Sequence, residues 1–244
     1  MSDIALTLRQ LGFENKIFWR NPAAVGFTFA FPLMFLVLFN ALFGESQFFV
    51  PAIAAFSVIS ACYTNIAIST AFARDQGVLK RKRGTPMPPS VYMLARVLHA
   101  TAIGLLLVVI VAVAGTLFYD VDLPTDTMPA FLVALLVGAA AFSALGLAIT
   151  AFVPNADAAP PIVNFSILPL LFISDIFLPS ERAPEWLTRI ADVFPVKHFA
   201  QAMASAFNPG RGSGWEPGHL AIVILWGVVG VFIAVRFFTW EPRR

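Results

Sequence analysis

Six stretches of this chain, at about 25–43, 51–73, 97–119, 129–152, 158–174 and 219–235, contain no Asp, Glu, Lys or Arg. Runs of this kind can cross the hydrocarbon core of a bilayer as helices, which satisfy their own backbone groups where no water is at hand. The composition agrees: 59% of the residues are apolar and 12% charged, against roughly a quarter charged in soluble domains. The sequence therefore predicts an all-α membrane protein, six transmembrane helices in a single domain over residues 1–244. Asp3, Arg9, Glu14, Lys16 and Arg20 precede the first run, unlike the short basic start of a cleaved signal peptide, so the first span is expected to be retained. Cys62 is the single cysteine, which excludes an intrachain disulfide.

The connections carry charge unequally. Arg9, Lys16 and Arg20 precede the first run; Arg74, Lys80, Arg81, Lys82, Arg83 and Arg96 lie between the second and third; Arg236, Arg243 and Arg244 follow the last. That is twelve of sixteen basic residues on one side, leaving Arg182, Arg189, Lys197 and Arg211 for the other. Lys and Arg accumulate in cytoplasmic loops, so both termini and the loop 74–92 are expected in the cytoplasm of a multi-pass protein of the cell (plasma or inner) membrane. A nucleic-acid role for the basic run makes little sense between two spans.

Two further segments have helical order. In residues 4–20, apolar arcs (Ile4, Leu8, Leu11, Phe18, Trp19 and Leu6, Phe13, Ile17) flank a basic arc of Arg9, Lys16 and Arg20. A helix so patterned suits the membrane interface, its basic strip toward anionic lipid headgroups, and "NP" at 21–22 ends it. The segment 178–218 is too long for a plain connector and is expected on the outer side. Pro184, Trp186, Leu187, Ile190 and Phe194 suggest one short helix there, with a second apolar stretch from Phe199 to Phe207.

Chemistry is sparse. No GxxxxGK[ST] occurs, so the chain lacks the phosphate-cradling loop of an ATPase. His99, His198 and His219 lie apart without acidic or thiol neighbours at ligand spacing, and no metal site is expected. No nucleophile–base grouping suggests an enzyme. The second run is unusually polar: Ser57, Ser60 and Thr64 share a helical face, with Tyr63, Asn65 and Ser69 around it, and the fifth adds Asn164 and Ser166. Such groups either line a path or bond between helices. Phe27, Phe31, Phe35, Phe39 and Phe43 recur every four residues, and Ala134, Gly138, Phe142 and Gly146 form a mostly small-residue face; both patterns read as packing.

The stretch "RDQGVLKRKRGTPMPPSVY" resembles the first cytoplasmic loop of bacterial ABC exporter membrane subunits of the second type. "WRNPAAVGFTFAFPLMFLVLFNALFG" looks like that family's entry into its first span, through Arg20, Pro22, Pro32 and Gly44. "APEWLTRIADVFPVKHFAQAM" is similar to its last outer segment, through Pro184, Trp186, Leu187 and Pro195. Asp75-Gln76 departs from the Glu that many members carry before the Gly.

The resemblance implies a permease, not an enzyme, driven by a separate cytoplasmic ABC ATPase that holds the ATP and Mg²⁺. Cofactors are expected on that partner and none in this chain. The loop 74–92 would form a coupling helix, with Arg74, Asp75, Gly77, Lys80, Arg81 and Arg83 at the ATPase. Two permease copies or paralogues would pair as a dimer, and the second and fifth spans would flank the path. Ser57, Ser60, Tyr63, Thr64, Asn65, Asn164 and Ser166 are then candidate path residues. The "RNP" entry resembles the drug-efflux branch, which implies outward movement of an amphipathic drug-like or lipid substrate. An ion-coupled six-span carrier and a membrane scaffold that transports nothing are the alternatives.

Overall fold

A computed structural model describes residues 3–44, 46–85, 87–177, 184–207 and 213–241. The described residues are helices and connections, in the order α1 (Asp3–Trp19), α2 (Pro22–Phe43), α3 (Ser46–Ile59), a π-turn (Ser60–Asn65), α4 (Ile66–Asp75), α5 (Val78–Arg83), α6 (Pro89–Tyr119), α7 (Met128–Ile149), α8 (Ala159–Phe172), α9 (Glu185–Ala191), α10 (Pro195–Phe207) and α11 (Pro217–Phe237). Arg182, Arg211, Arg243 and Arg244, counted above for orientation, lie outside the described residues.

Helices α3 and α4 join through the π-turn into one rod, Ser46–Asp75, most of it buried. It is the core of the molecule: α6, α7, α2, α10 and α8 all pack on it. The helix α2 lies at the edge. Its entry is set by Asn21, whose side chain accepts from Ala24 N at 3.1 Å, with Pro22 in the first turn; Gly44 closes it at φ +68°. These residues supply the N-cap, N1 proline and left-handed C-terminal glycine that helix ends favour. The Phe series of α2 is a packing ladder: Phe31, Phe35 and Phe39 lie against Phe56, Phe49 and Phe177, with ring centroids 5.1–5.9 Å apart. The small face of α7 is also structural. A Cβ at Gly146 would lie 2.8 Å from the Tyr63 carbonyl oxygen, and one at Gly138 would meet the Phe199 ring.

Among the described residues, five helices are long and apolar enough to span a bilayer. The expected fifth span, 158–174, is instead the 14-residue α8. At 1.5 Å per residue it reaches about 21 Å, short of a hydrocarbon core of about 30 Å. It starts at Ala159, with Pro160 and Pro161 in its first turn, and stops at Phe172, and Asp175 then turns the chain at φ +60°. The apolar stretch expected from Phe199 is α10, whose buried Phe199, Met203 and Phe207 pack it among α3, α7 and α11. The short helix expected after Pro184 is α9, with Trp186 and Ile190 exposed.

Side-chain contacts place α1, the α4–α5–α6 connection, the loop 150–158 and residues 239–240 at one end of the bundle, called here the basic end. Thr127, Ala206 and Gly214 meet at the opposite end.

Candidate functional site

The basic end is built on a sharp turn. The rod ends at Asp75, and Gly77 takes φ +69°, a left-handed conformation that a residue without Cβ adopts at little cost. The six-residue α5 follows, pinned by Leu79, which is fully buried. Lys80, Arg81 and Arg83 are exposed around it. Lys82 alone folds back: its ammonium lies 3.5 Å from Glu14 Oε1 and 4.1 Å from the centre of the Tyr92 ring. Partial burial pulls the Lys82 pKa down from the ordinary lysine value, while the Glu14 carboxylate pushes it back up.

Lys82 enters a polar junction that residue spacing does not show. Gln10 donates to Glu14 at 2.7 Å; Arg96 lies 4.0 Å from Glu14, donates to the Tyr92 hydroxyl at 2.6 Å and reaches Ser69 Oγ. Tyr92 also meets Trp240, ring centroids 6.2 Å apart. Five segments of the chain (α1, α4, α5, α6 and the end after α11) thus share one cluster, with Gln10, Tyr92 and Arg96 buried and the other members half-buried. The inward face of α1 is mixed, with Thr7, Gln10 and Glu14 toward the junction and Phe18 buried against Phe29 and His99, while Ile4, Leu8, Arg9, Phe13, Lys16 and Ile17 face outward, as does Arg20 just beyond the helix.

Arg74 corrects the sequence expectation. It heads the basic stretch, yet it is only 1% exposed. Its guanidinium donates to the Thr150 carbonyl at 3.0 Å, to Thr239 Oγ1 at 3.2 Å and to the Val153 carbonyl. Asp75 Oδ2 accepts from the Ala156 backbone N–H at 2.6 Å. Both side chains therefore hold the α7–α8 connection, and Arg74 presents no charge outward. A five-donor fork is well suited to bridging several oxygens at once.

The candidate path residues separate into three groups. Ser57 is fully buried and spends its hydroxyl on Ile53 of its own helix at 2.7 Å. Ser60, Thr64 and Asn65 are half-buried, and Asn164 is exposed on α8. Tyr63 and Ser166, 103 positions apart, meet with their oxygens 2.7 Å apart. The π-turn explains why Ser57 does not share the face of Thr64. Its wider hydrogen-bond ring inserts about one residue, which rotates the register by about 100° relative to a uniform wheel.

Histidine placement differs from expectation as well. His198 Nδ1 and His219 Nδ1 lie 2.8 Å apart, and His198 Nε2 is 2.8 Å from the Asp192 carbonyl. Among the described residues no three His, Cys, Asp or Glu come together as a metal site.

Several apolar spanning helices packed on a mostly apolar buried rod, with a short basic helix held at one end, define a multi-pass helical membrane protein. The sequence profile of the ABC-2 type transporter family matches residues 9–208, and the chain belongs to that family. It is accordingly the membrane subunit of an ABC transporter, a class that works with an ABC ATPase. Among its relatives, the "Daunorubicin resistance ABC transporter permease protein DrrB1" of Streptomyces coeruleorubidus is 27% identical, over 94% of this chain and 83% of that protein. The "Putative transport permease ycf38" of Porphyra purpurea is 22% identical, over 87% of this chain and 76% of that one. The "Putative transport permease YvfS" of Bacillus subtilis (strain 168) is 25% identical, over 76% and 79%.

Proposed function

We propose that this permease exports an amphipathic drug-like or lipid substrate, powered by a separate cytoplasmic ATPase that grips the loop 74–92. The observation that carries the reading is the form of α5: a short helix anchored by Leu79, with Lys80, Arg81 and Arg83 directed outward and Lys82 wired to Glu14. Such a helix is a handle. A push on it reaches α1, α6 and the α7–α8 connection through the Glu14 junction and the Arg74 clamp. ATP-driven closure of the partner would shift the equilibrium between inward- and outward-open states only through its unequal binding to them. ATP and Mg²⁺ belong to that partner, and both termini face it in the cytoplasm.

A second copy completes the path. Ser60, Thr64, Asn65 and Asn164 leave polar groups open on the surface of one chain, and polar groups in hydrocarbon gain from a facing helix or from water. The drug-resistance name of the Streptomyces relative supports a drug-like substrate.

The test is charge reversal. Lys80→Glu, Arg81→Glu and Arg83→Glu together should abolish co-purification of the ATPase and substrate-stimulated ATP hydrolysis, with the permease still folded. Unchanged assembly and transport would defeat the proposal. Transport that continues without ATP would favour an ion-coupled carrier, and no transport under any condition a scaffold.

A further inference from the structure

Between the π-turn, α7, α8, the start of α10 and α11 lies a cleft of about 250 Å³. Phe142, Phe152, Phe194 and Trp226 form much of its wall, with Tyr63 and Ser166 as its polar part. Among the described residues no Asp, Glu, Lys, Arg or His lines it. Drug-sized sites usually measure about 300–1,000 Å³, so this one suits a one- or two-ring compound. It lies within a single chain, walled by α7 and α11 as well as by the π-turn and α8.

The hydroxyl hydrogens decide what the polar wall offers. Each hydroxyl has one hydrogen to give. Ser166 gives its own to the Val163 carbonyl at 2.7 Å, so across the 2.7 Å gap between the two side chains Tyr63 is the donor. The Trp226 indole N–H is likewise committed to the Val193 carbonyl at 2.8 Å. What remains toward the cleft is acceptor capacity, chiefly the lone pairs of the Tyr63 oxygen.

We propose that this cleft binds an uncharged, largely aromatic small molecule carrying one hydrogen-bond donor, such as a phenolic hydroxyl, which the Tyr63 oxygen accepts. The rings meet an aromatic wall. A charged group would lose its hydration with no opposite charge to replace it. The role of the site as a holding place for cargo rests on the export reading above, but binding itself requires neither ATPase nor nucleotide.

The probes are 1-naphthol and 1-methoxynaphthalene, alike in their rings and different in the donor. Equilibrium dialysis against the purified full chain in nanodiscs, with empty nanodiscs subtracted, measures saturable binding. Naphthol should bind several-fold more tightly than its methyl ether. Tyr63→Phe should weaken naphthol by roughly three- to tenfold, the worth of one hydrogen bond, and leave the ether unchanged. Ala148→Phe, at the cleft wall, should remove saturable binding of both. Equal binding of the two probes, or naphthol indifferent to Tyr63→Phe, would overturn the proposal. If ATP-coupled export fails while naphthol binding keeps this pattern, the export reading falls and the site stands; the reverse result sinks the site alone.

Discussion

Arg74 donates to two backbone carbonyls of the α7–α8 connection and to Thr239. Truncation strands these carbonyls in a buried place, where hydrogen bonds to a charged group are worth about 1.5–3 kcal/mol each. Arg74→Ala should therefore lower the melting temperature of the purified chain markedly, and Arg74→Lys, which keeps the charge but not the fork, should recover only part of the loss. A variant that melts with the wild type would show that the clamp contributes nothing. Gly146 offers a second check, since an added Cβ would sit 2.8 Å from the Tyr63 carbonyl oxygen and 2.9 Å from that of Cys62. Backbone cannot yield as a side chain end can, so Gly146→Ala should cost about 1–3 kcal/mol by overpacking, read as a lower melting temperature. Residue type alone could not distinguish Arg74 from Lys80: both are basic in one loop, and only the fold decides which of them is enclosed.

At the scale of elements, the α5 helix keeps its position through contacts from outside itself, because six residues are too few for a helix to be stable alone. Leu79 supplies the apolar anchor and Lys82–Glu14 the polar one. Glu14→Gln should loosen α5, seen as faster proteolysis between residues 78 and 83 and weaker ATPase stimulation, while the total helix content by circular dichroism stays unchanged. Protection equal to the wild type would count against the junction. The break at Asn21-Pro22 and the short α9 were both legible from local chemistry. The π-turn was not, because it arises where the rod accommodates its neighbours, and a wheel of 3.6 residues per turn has no means of showing it. The length of α8 was missed for a related reason. An uncharged run marks where a helix is permitted in lipid, whereas this helix stops at Phe172, two residues before the run ends at 174.

At the scale of the molecule, the exposed Asn164 on α8 and the half-buried Ser60 and Thr64 mark the surface proposed to meet a second copy. With Asn164→Cys, a short bifunctional maleimide should join two chains in membranes; the buried Cys62 serves as the silent control. Only monomers after treatment would argue against pairing through α8. The membrane-spanning, all-helical character of the protein, its basic loop and its family likeness follow from the sequence by itself. Transfer of apolar and charged groups between water and lipid depends on side chains and their order along the chain, without reference to distant partners. Tertiary structure alone decided the enclosure of Arg74, the junction of Glu14, Lys82, Tyr92 and Arg96, the His198–His219 contact and the meeting of Tyr63 with Ser166. Each of these depends on distances between residues far apart in the chain, and those distances are set by how helices pack, which no local pattern encodes.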